Sequence, residues 1–267
     1  MHDRISLSCL NFPTFTLPET LNALAELGVK RTTVPGTLLA NHGWVRALQL
    51  IDDSDISAAA LIAPFPKSLG DRGTWTDMRQ EFCTTIDAAA ELKATAVYSV
   101  TGPLIEQRDT SVAAFVDFIE PIVDYAQHKG IHMSLEPTLP SFAWVSFATS
   151  IAEAQDLMNA TNLRMCLDLF HAWQDPRLDS FLSEDNDRIS LVQVGDGIFR
   201  DGSQVKANLG DGIIPLTSLI SKVENAGYKG VYDIEVTPSK DYYPEGLIPA
   251  ARRAVERLDR LLSSLPT

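Results

Sequence analysis

Short apolar runs alternate with longer amphipathic segments from one end of the chain to the other. The runs are nearly continuous rather than alternating apolar and polar, which is typical of strands covered on both faces in a parallel sheet. Eight runs are predicted to be strands: residues 5–10, 31–34, 58–63, 96–100, 132–136, 164–169, 190–194 and 231–236.

The segments between these runs carry the apolar period of helices. The predicted helices include residues 78–92, 112–128, 150–158, 216–226 and 247–262. Pro121 falls inside one of them and predicts a kink there. Gly28, Gly130 and Gly227 each follow a helical segment and precede a strand, which is the position of a helix C-cap.

Eight strands alternating with about eight helices predict a (β/α)8 TIM barrel, formed as a single domain by residues 1–267. A doubly wound sheet is the alternative, but no GxGxxG motif follows the first strand. Longer loops are predicted after strands three, seven and eight, at residues 64–75, 195–213 and 237–246. In a barrel these loops lie on the catalytic face.

Amino-acid composition indicates the class of protein, and the net charge limits the partners that it could bind. Apolar residues make up 45% of the chain and charged residues 21%, which fits a globular protein and excludes a coiled-coil rod or a disordered tail. The net charge of −13 disfavours nucleic acid and acidic membrane surfaces as partners.

Cys9, Cys83 and Cys166 are too scattered to indicate disulfides or a cysteine zinc site. With no signal peptide or membrane span in the pattern, we expect a cytoplasmic protein.

Oxygen-bearing side chains stand at the ends of four successive predicted strands. Glu136 ends strand five, Asp168 strand six, Gln193 strand seven and Glu235 strand eight. A barrel would bring them together at its mouth, where a divalent cation would offset acids that otherwise repel one another. An all-oxygen donor set favours Mn²⁺ or Mg²⁺, with Co²⁺ as a substitute. The alternative is a set of salt-bridged acids at the barrel rim, with no metal.

Two of these acids are also candidate catalytic bases. A divalent cation that binds the hydroxyl and carbonyl of a sugar makes the neighbouring C–H bond more acidic. Glu136 or Glu235 could then remove the proton and leave an enediolate. The same chemistry serves isomerisation, epimerisation or β-elimination, and the residues leave that choice open.

Five segments carry a family resemblance: SLEPTLP, RMCLDLFHAWQDP, LVQVGDG, NLGDGIIPL and YDIEV. Together they resemble the sugar phosphate isomerase/epimerase family, the xylose isomerase-like TIM barrels. The resemblance implies that Glu136, Asp168 and Glu235 bind metal. Many members have a histidine where this chain has Gln193, and some branches have a glutamine. His171, three residues after Asp168, is implied to contact substrate oxygens beside the metal, and as a catalytic residue it could also move a proton.

Three further residues are candidate substrate contacts. Lys206 and Arg200 lie in the loop after strand seven, which the resemblance places at the barrel mouth, and could reach a sugar hydroxyl, carboxylate or phosphate. Trp173 could form an aromatic wall against a sugar, or it could cover the mouth for stability alone. Asp196, just past Gln193, could support the metal ligands from behind without binding the metal itself.

These observations lead to a first hypothesis of a metal-dependent sugar isomerase or epimerase acting on a small carbohydrate. A lyase or dehydratase on the same site is the second, and a sugar-binding subunit without turnover is the third. An apurinic endonuclease, known on related barrels, is disfavoured by the net charge and by the few histidines at strand ends. By analogy with the family, a homo- or hetero-oligomer is expected.

Overall fold

The computed structural model describes residues 1–236 and 245–265, and its centre is a parallel eight-stranded sheet. Its strands are β1 (Ile5–Leu7), β2 (Arg31–Pro35), β3 (Ser57–Ile62), β4 (Ala96–Ser99), β5 (His132–Leu135), β6 (Arg164–Asp168), β7 (Ile189–Val194) and β10 (Tyr232–Ile234). They pair in the order β1-β10-β7-β6-β5-β4-β3-β2. All eight predicted strands are therefore present.

The sheet curls until its two ends, β1 and β2, meet. No ladder pairs these strands in the described part of the chain, but the Thr32 hydroxyl donates a 2.7 Å hydrogen bond to the Leu7 carbonyl across the seam. The Cys9 thiol lies 3.3 Å from the same hydroxyl. The result is a nearly closed barrel, which confirms the predicted TIM-barrel fold.

Helices follow the strands and surround the barrel. They are α1 (Leu17–Glu26), α2 (Gly36–His42), α3 (Trp44–Asp52), α4 (Trp75–Glu91), α5 (Arg108–His128), α6 (Ile151–Thr161), α7 (Leu169–Ala172), α8 (Leu178–Glu184), α9 (Leu216–Asn225) and α10 (Leu247–Ser263). Local sequence sets their ends. Thr16 and Glu19 form a capping box at the start of α1. Gly28 follows the last turn of this helix with a φ of 71°, a conformation that ends a helix.

Two apolar clusters hold the barrel together. The larger lies between the strands and the surrounding helices, where Trp75 and Phe82 of α4 each meet Phe118 of α5 edge to face. Burying side chains of this size stabilises the fold by about 2 kcal/mol each. The smaller cluster lies inside the barrel and includes Tyr98 and Cys166. This inner cluster forms the floor beneath the strand ends.

The segment predicted as a long loop after β7 contains a β-hairpin. Its antiparallel strands are β8 (Asp196–Arg200) and β9 (Ser203–Ala207). Asp201 and Gly202 form the turn with φ angles of 51° and 79°, as two-residue hairpin turns require. The Asp-Gly pair was a sequence signal for this turn. Of the predicted loop 237–246, residues 237–244 lie outside the described part of the chain.

Within residues 1–236 and 245–265, every helix is too short or too polar to cross a membrane.

Candidate functional site

Four oxygen-bearing side chains lie buried where the barrel strands end. Asp168 closes β6 and is paired in register with Gln193 of β7. Glu136 directly follows β5, and Glu235 directly follows β10. Glu136 and Glu235 are each 8% exposed, Asp168 1% and Gln193 0%. The fold thus brings the four predicted ligands to one end of the barrel.

Lys206 enters this group from β9 of the hairpin. Its Nζ lies 3.1 Å from Asp168 Oδ2 and 3.0 Å from Glu235 Oε1, and it also donates to the Glu235 carbonyl. Burial alone would lower the pKa of Lys206, but these two carboxylates hold that pKa above its ordinary value. The lysine was predicted as a substrate contact in an open loop. Here it is a buried cation that bridges two of the acids.

The charges in this cluster do not balance. When the carboxylates of Glu136, Asp168 and Glu235 are all ionised, the single ammonium of Lys206 leaves a surplus of two negative charges in a buried site. The pKa of Glu136 is raised well above its ordinary value by burial and by repulsion from Glu235 and Asp168. A divalent cation would remove this imbalance, and hard oxygen donors suit Mn²⁺, Mg²⁺ or Co²⁺.

His171 points a hydrogen-bond donor into the cluster. Its Nδ1 accepts a 3.1 Å hydrogen bond from the Leu139 backbone N–H, so the proton of the neutral ring is on Nε2. Nε2 lies 3.6 Å from Glu136 Oε1 and 3.7 Å from Asp168 Oδ2. Burial and the nearby Lys206 lower the pKa of His171 to about 3. His171, Glu136 and Asp168 are near enough to share an ion, but a protonated Nε2 offers no lone pair to a metal.

Gln193 and Tyr98 support Glu235 from below. The Gln193 amide nitrogen donates to Glu235 Oε2 and, at 3.0 Å, to the Tyr98 hydroxyl, which itself lies 3.2 Å from Glu235 Oε2. The Gln193 oxygen accepts from the Cys166 thiol at 3.1 Å. Metal binding through the predicted oxygen ligand of Gln193 therefore requires the amide to turn by half a rotation. Burial, followed by the charge of Glu235, raises the pKa of Tyr98.

The residues present fit a divalent cation. Of the described side chains, those of Glu136, Asp168 and His171 lie close enough together to share one ion, and the two carboxylates would bind it with oxygen. Glu235 and Gln193 lie at the same end of the barrel and would complete the predicted set, Gln193 with its amide oxygen after the turn. The ionised cluster has a surplus of negative charge, and it offers no thiolate, because burial raises the pKa of Cys166 well above its ordinary value.

Asp196 fixes the loop that carries Lys206. Its carboxylate accepts four backbone N–H groups, from Gly197, Gly210, Gly212 and Ile214, at 2.8 to 3.1 Å. A Cβ on Gly212 would lie 2.1 Å from this carboxylate, so only glycine fits there. Asp196 was predicted to support the metal ligands from behind. The contacts instead show a residue that folds the hairpin and the turn after it.

The aromatic and basic candidates lie farther from the carboxylates. The Trp173 indole N–H donates to Gln204 of β9, and Gln204 donates in turn to the Phe170 carbonyl, so this tryptophan fastens the hairpin to α7. Arg200 is exposed at the far end of β8, about 13 Å from Asp196 at the rise of an extended strand. Arg200 thus lies at the turn end of the hairpin, whereas Lys206 pairs with Gly197 nearer its base.

Comparisons with known proteins agree with this architecture. The chain is similar to protein SMc04130 from Sinorhizobium meliloti 1021, with 20% identity, a TM-score of 0.84, and coverage of 97% of this chain and 98% of that one. It is similar to an IolI protein with a binding zinc atom, with 18% identity, a TM-score of 0.81 and 99% coverage of both chains. It is similar to the apo form of 3-keto-D-glucoside 4-epimerase YcjR from E. coli, with 15% identity, a TM-score of 0.75, and coverage of 97% and 99%.

Other similar structures include an L-ribulose 3-epimerase and the probable 3-DHS dehydratase AsbF from Bacillus anthracis. Among curated protein sequences, none matches the chain. Residues 21–261 match the family described as xylose isomerase-like TIM barrel. This match spans most of the chain and agrees with the barrel described above. The chain therefore belongs to the xylose isomerase-like TIM barrel family.

Proposed function

We propose that the protein is a divalent-metal-dependent sugar isomerase or epimerase that transfers a proton on a keto-sugar or polyol through an enediolate. The observation that carries this proposal is the buried cluster of Glu136, Asp168 and Glu235, whose ionised form has a surplus of two negative charges that a divalent cation would offset. Mn²⁺ is the proposed ion, with Mg²⁺ or Co²⁺ as substitutes. When bound, it would supply a Lewis acid that polarises a carbonyl oxygen.

The two glutamates differ in their surroundings, which suggests how they divide the work. The carboxylate of Glu136 accepts no hydrogen bond from any described residue, so it is available to take a proton from substrate carbon. Glu235 accepts from Gln193, Tyr98 and Lys206 and is held in one orientation. We assign Glu136 as the first base and Glu235 as the second, on the opposite side of the cluster.

His171 and Lys206 would act on substrate oxygens. The Nε2–H of His171 faces the space beside Glu136 and Asp168, where it would donate to a substrate hydroxyl or carbonyl. Lys206 is held by the same acids that would bind the cation. With those acids engaged by a cation, Lys206 would be available to pair with negative charge that develops on a substrate oxygen. In this proposal Trp173 and Arg200 lie at the edge of the barrel mouth and do not contact the reacting carbon.

Solvent isotope exchange tests the reaction directly. Purified protein loaded with Mn²⁺ is incubated with a panel of keto-sugars in D₂O, and the products are analysed by mass spectrometry. We expect one deuterium at the carbon next to the carbonyl, and loss of that exchange in Glu136→Gln and Glu235→Gln. Glu120→Gln on the exposed face of α5 serves as the matched control. Full exchange in both cluster variants would overturn the proposal.

A lyase or dehydratase is the second candidate. The similarity to a probable dehydratase supports it, and so does the chemistry, because elimination begins with the same removal of a proton next to a carbonyl. The same incubations distinguish the two reactions. Elimination gives an enone with ultraviolet absorbance and loss of water or of a glycosidic substituent, whereas isomerisation gives deuterium exchange without that absorbance.

The third hypothesis, a sugar-binding subunit, predicts sugar binding without exchange in the same experiment.

We further propose that the enzyme acts in the cytoplasm on small carbohydrates and forms an oligomer. The cysteines Cys9, Cys83 and Cys166 are all free in the structure, which suits a reducing compartment. The net charge of −13 argues against nucleic acid or acidic membranes as partners.

A further inference from the structure

The hydroxyl of Tyr98 reaches the proposed metal ligands from the opposite wall of the barrel. Tyr98 belongs to β4, whereas Glu235 follows β10, and these strands are four places apart in the ring of eight. The phenol therefore lies across the inside of the barrel, only 2% exposed, with its oxygen 3.2 Å from Glu235 Oε2. It forms part of the floor of the site.

Small residues on β4 itself and on the adjacent β3 make room for this ring. Ala60 of β3 and Ala96 of β4 are fully buried in the inner cluster, together with Cys166 and Leu191. Two alanines leave a space in the barrel interior that larger side chains would fill, and the Tyr98 ring occupies it. Because interiors pack at near-crystalline density, the ring has little freedom to move.

Hydrogen-bond chemistry fixes the direction of the contacts. Gln193 donates from its amide nitrogen to the Tyr98 oxygen at 3.0 Å, so the phenol proton is free to go to Glu235 Oε2. If the Gln193 amide turns its oxygen toward a cation, the Tyr98 hydroxyl can still donate to an oxygen of Gln193 or of Glu235. In both arrangements Tyr98 supports two of the four proposed ligands.

We propose that Tyr98 is a positioning residue for the metal centre, which orients Glu235 and Gln193 without touching substrate. The proposal rests on the proposed metal-dependent function. Groups that hydrogen-bond metal ligands typically change metal affinity by about 10- to 100-fold when they are removed. The predicted change is therefore in the affinity and spectrum of the metal itself.

The test compares Tyr98→Phe with a matched loss of another buried hydroxyl. Tyr228 is 5% exposed, and its hydroxyl accepts from the Val192 N–H at 3.1 Å and donates to the Val231 carbonyl at 2.7 Å. Tyr228→Phe thus removes the same atom from an equally buried place away from the carboxylates. Wild type and both variants are titrated with Co²⁺ alone, and binding is followed by the visible absorption of the ion. Thermal unfolding of the three proteins is recorded in parallel.

We expect wild type and Tyr228→Phe to bind Co²⁺ with affinities within about twofold of each other. Tyr98→Phe should bind at least about tenfold more weakly and with a shifted spectrum, although its thermal stability falls no further than that of Tyr228→Phe. Equal Co²⁺ affinity and an unchanged spectrum in Tyr98→Phe would overturn the positioning role and leave the proposed function standing. A wild-type protein that binds no Co²⁺ would overturn both.

Discussion

A single backbone N–H determines which nitrogen of His171 carries the proton of the neutral ring. The Leu139 N–H occupies Nδ1, so a neutral ring must carry its proton on Nε2, toward Glu136 and Asp168. The fold thereby makes this histidine a donor to whatever oxygen binds there. A histidine in the opposite tautomer would offer a lone pair and would compete as a metal ligand.

This tautomer can be observed directly. In metal-free protein with ¹⁵N-labelled histidine, we expect His171 to show a protonated Nε2 and an unprotonated Nδ1. Because burial and Lys206 lower the pKa of His171 to about 3, the ring should stay neutral between about pH 5 and 8. His171→Gln assigns the resonance. A ring that gains its second proton near pH 6.5, or that carries its proton on Nδ1, would contradict the described hydrogen bonding.

The site residues differ in how far their sequence context predicted them. Glu136, Asp168 and Glu235 each end an apolar run, so strand position alone brought them to the mouth of a barrel. Lys206 and Tyr98 depend on tertiary placement instead. Lys206 arrives on a hairpin that folds back over the site, and Tyr98 lies inside a strand that has no acid at its end. The types and spacing of residues in the sequence do not indicate that the Tyr98 side chain crosses the inside of the barrel.

At the scale of elements, the β8–β9 hairpin decides whether Lys206 reaches the cluster. Its anchors are the Asp196 carboxylate, with four backbone N–H groups, and Gln204, which links Trp173 to the Phe170 carbonyl. Gly197 packs against the Phe170 ring, where an added Cβ would lie 3.0 Å from it. The hairpin is therefore a fixed part of the barrel end.

Removal of the Asp196 carboxylate should destabilise the protein. Asp196→Ala leaves four backbone N–H groups without their acceptor, and buried donors without partners are costly. We expect a loss of about 3 kcal/mol or more in the free energy of unfolding, measured by urea denaturation. Asp211→Ala, an exposed change in the same loop, should stay within about 1 kcal/mol of wild type. Equal stability of the two variants would contradict the anchoring role of Asp196.

Apolar periodicity predicted the barrel strands but missed this hairpin for a physical reason. The barrel strands are covered on both faces, so their sequences are continuously apolar. β8 and β9 lie over the end of the barrel and mix buried with exposed positions. Such short, half-covered strands resemble loops in composition, and only the Asp-Gly turn indicated them. The same limit left α7 and α8 unpredicted, since they have four and seven residues.

For the whole molecule, a polar tie next to β1 fastens the start of the chain to the C-terminal part of the barrel. The Arg4 guanidinium donates to Glu224 Oε2 at 3.0 Å, to the Gly230 carbonyl at 2.7 Å and to the Tyr228 carbonyl at 3.0 Å. Glu224 also accepts from the Tyr232 hydroxyl at 2.6 Å. These contacts join the first strand to α9 and β10, at the far end of the sequence.

The tie should make stability depend on pH. Burial raises the pKa of Glu224, but hydrogen bonds from Arg4 and Tyr232 outweigh it and hold that pKa below its ordinary value of 4.5. A carboxyl with a lowered folded-state pKa stabilises the protein above its ordinary value, and the contribution is lost as pH falls through the folded-state pKa. Glu224→Gln should therefore cost about 1 kcal/mol at pH 7.

That difference should shrink as the pH falls below 4.5 and through the lowered folded-state pKa, where the wild-type carboxyl also becomes neutral. Urea denaturation at a series of pH values measures it, with Glu256→Gln on the exposed side of α10 as the control. A difference between wild type and Glu224→Gln that does not change with pH would rule out this linkage.

In the proposed metal centre, the three buried carboxylates at the barrel mouth hold one divalent cation. Isothermal titration of metal-free protein with Mn²⁺ measures this most directly, with Asp168→Asn as the test variant. The amide introduced by this substitution keeps an oxygen for the Phe170 N–H, which Asp168 Oδ1 accepts at 2.8 Å, so the start of α7 is preserved. Asp175→Asn is the matched control, because that carboxylate also accepts backbone N–H groups but lies outside the cluster.

We predict one Mn²⁺ per chain in wild type and in Asp175→Asn, and an affinity at least about 100-fold weaker in Asp168→Asn. A wild-type protein that binds no Mn²⁺, or an Asp168→Asn protein that binds it as tightly as wild type, would contradict the account.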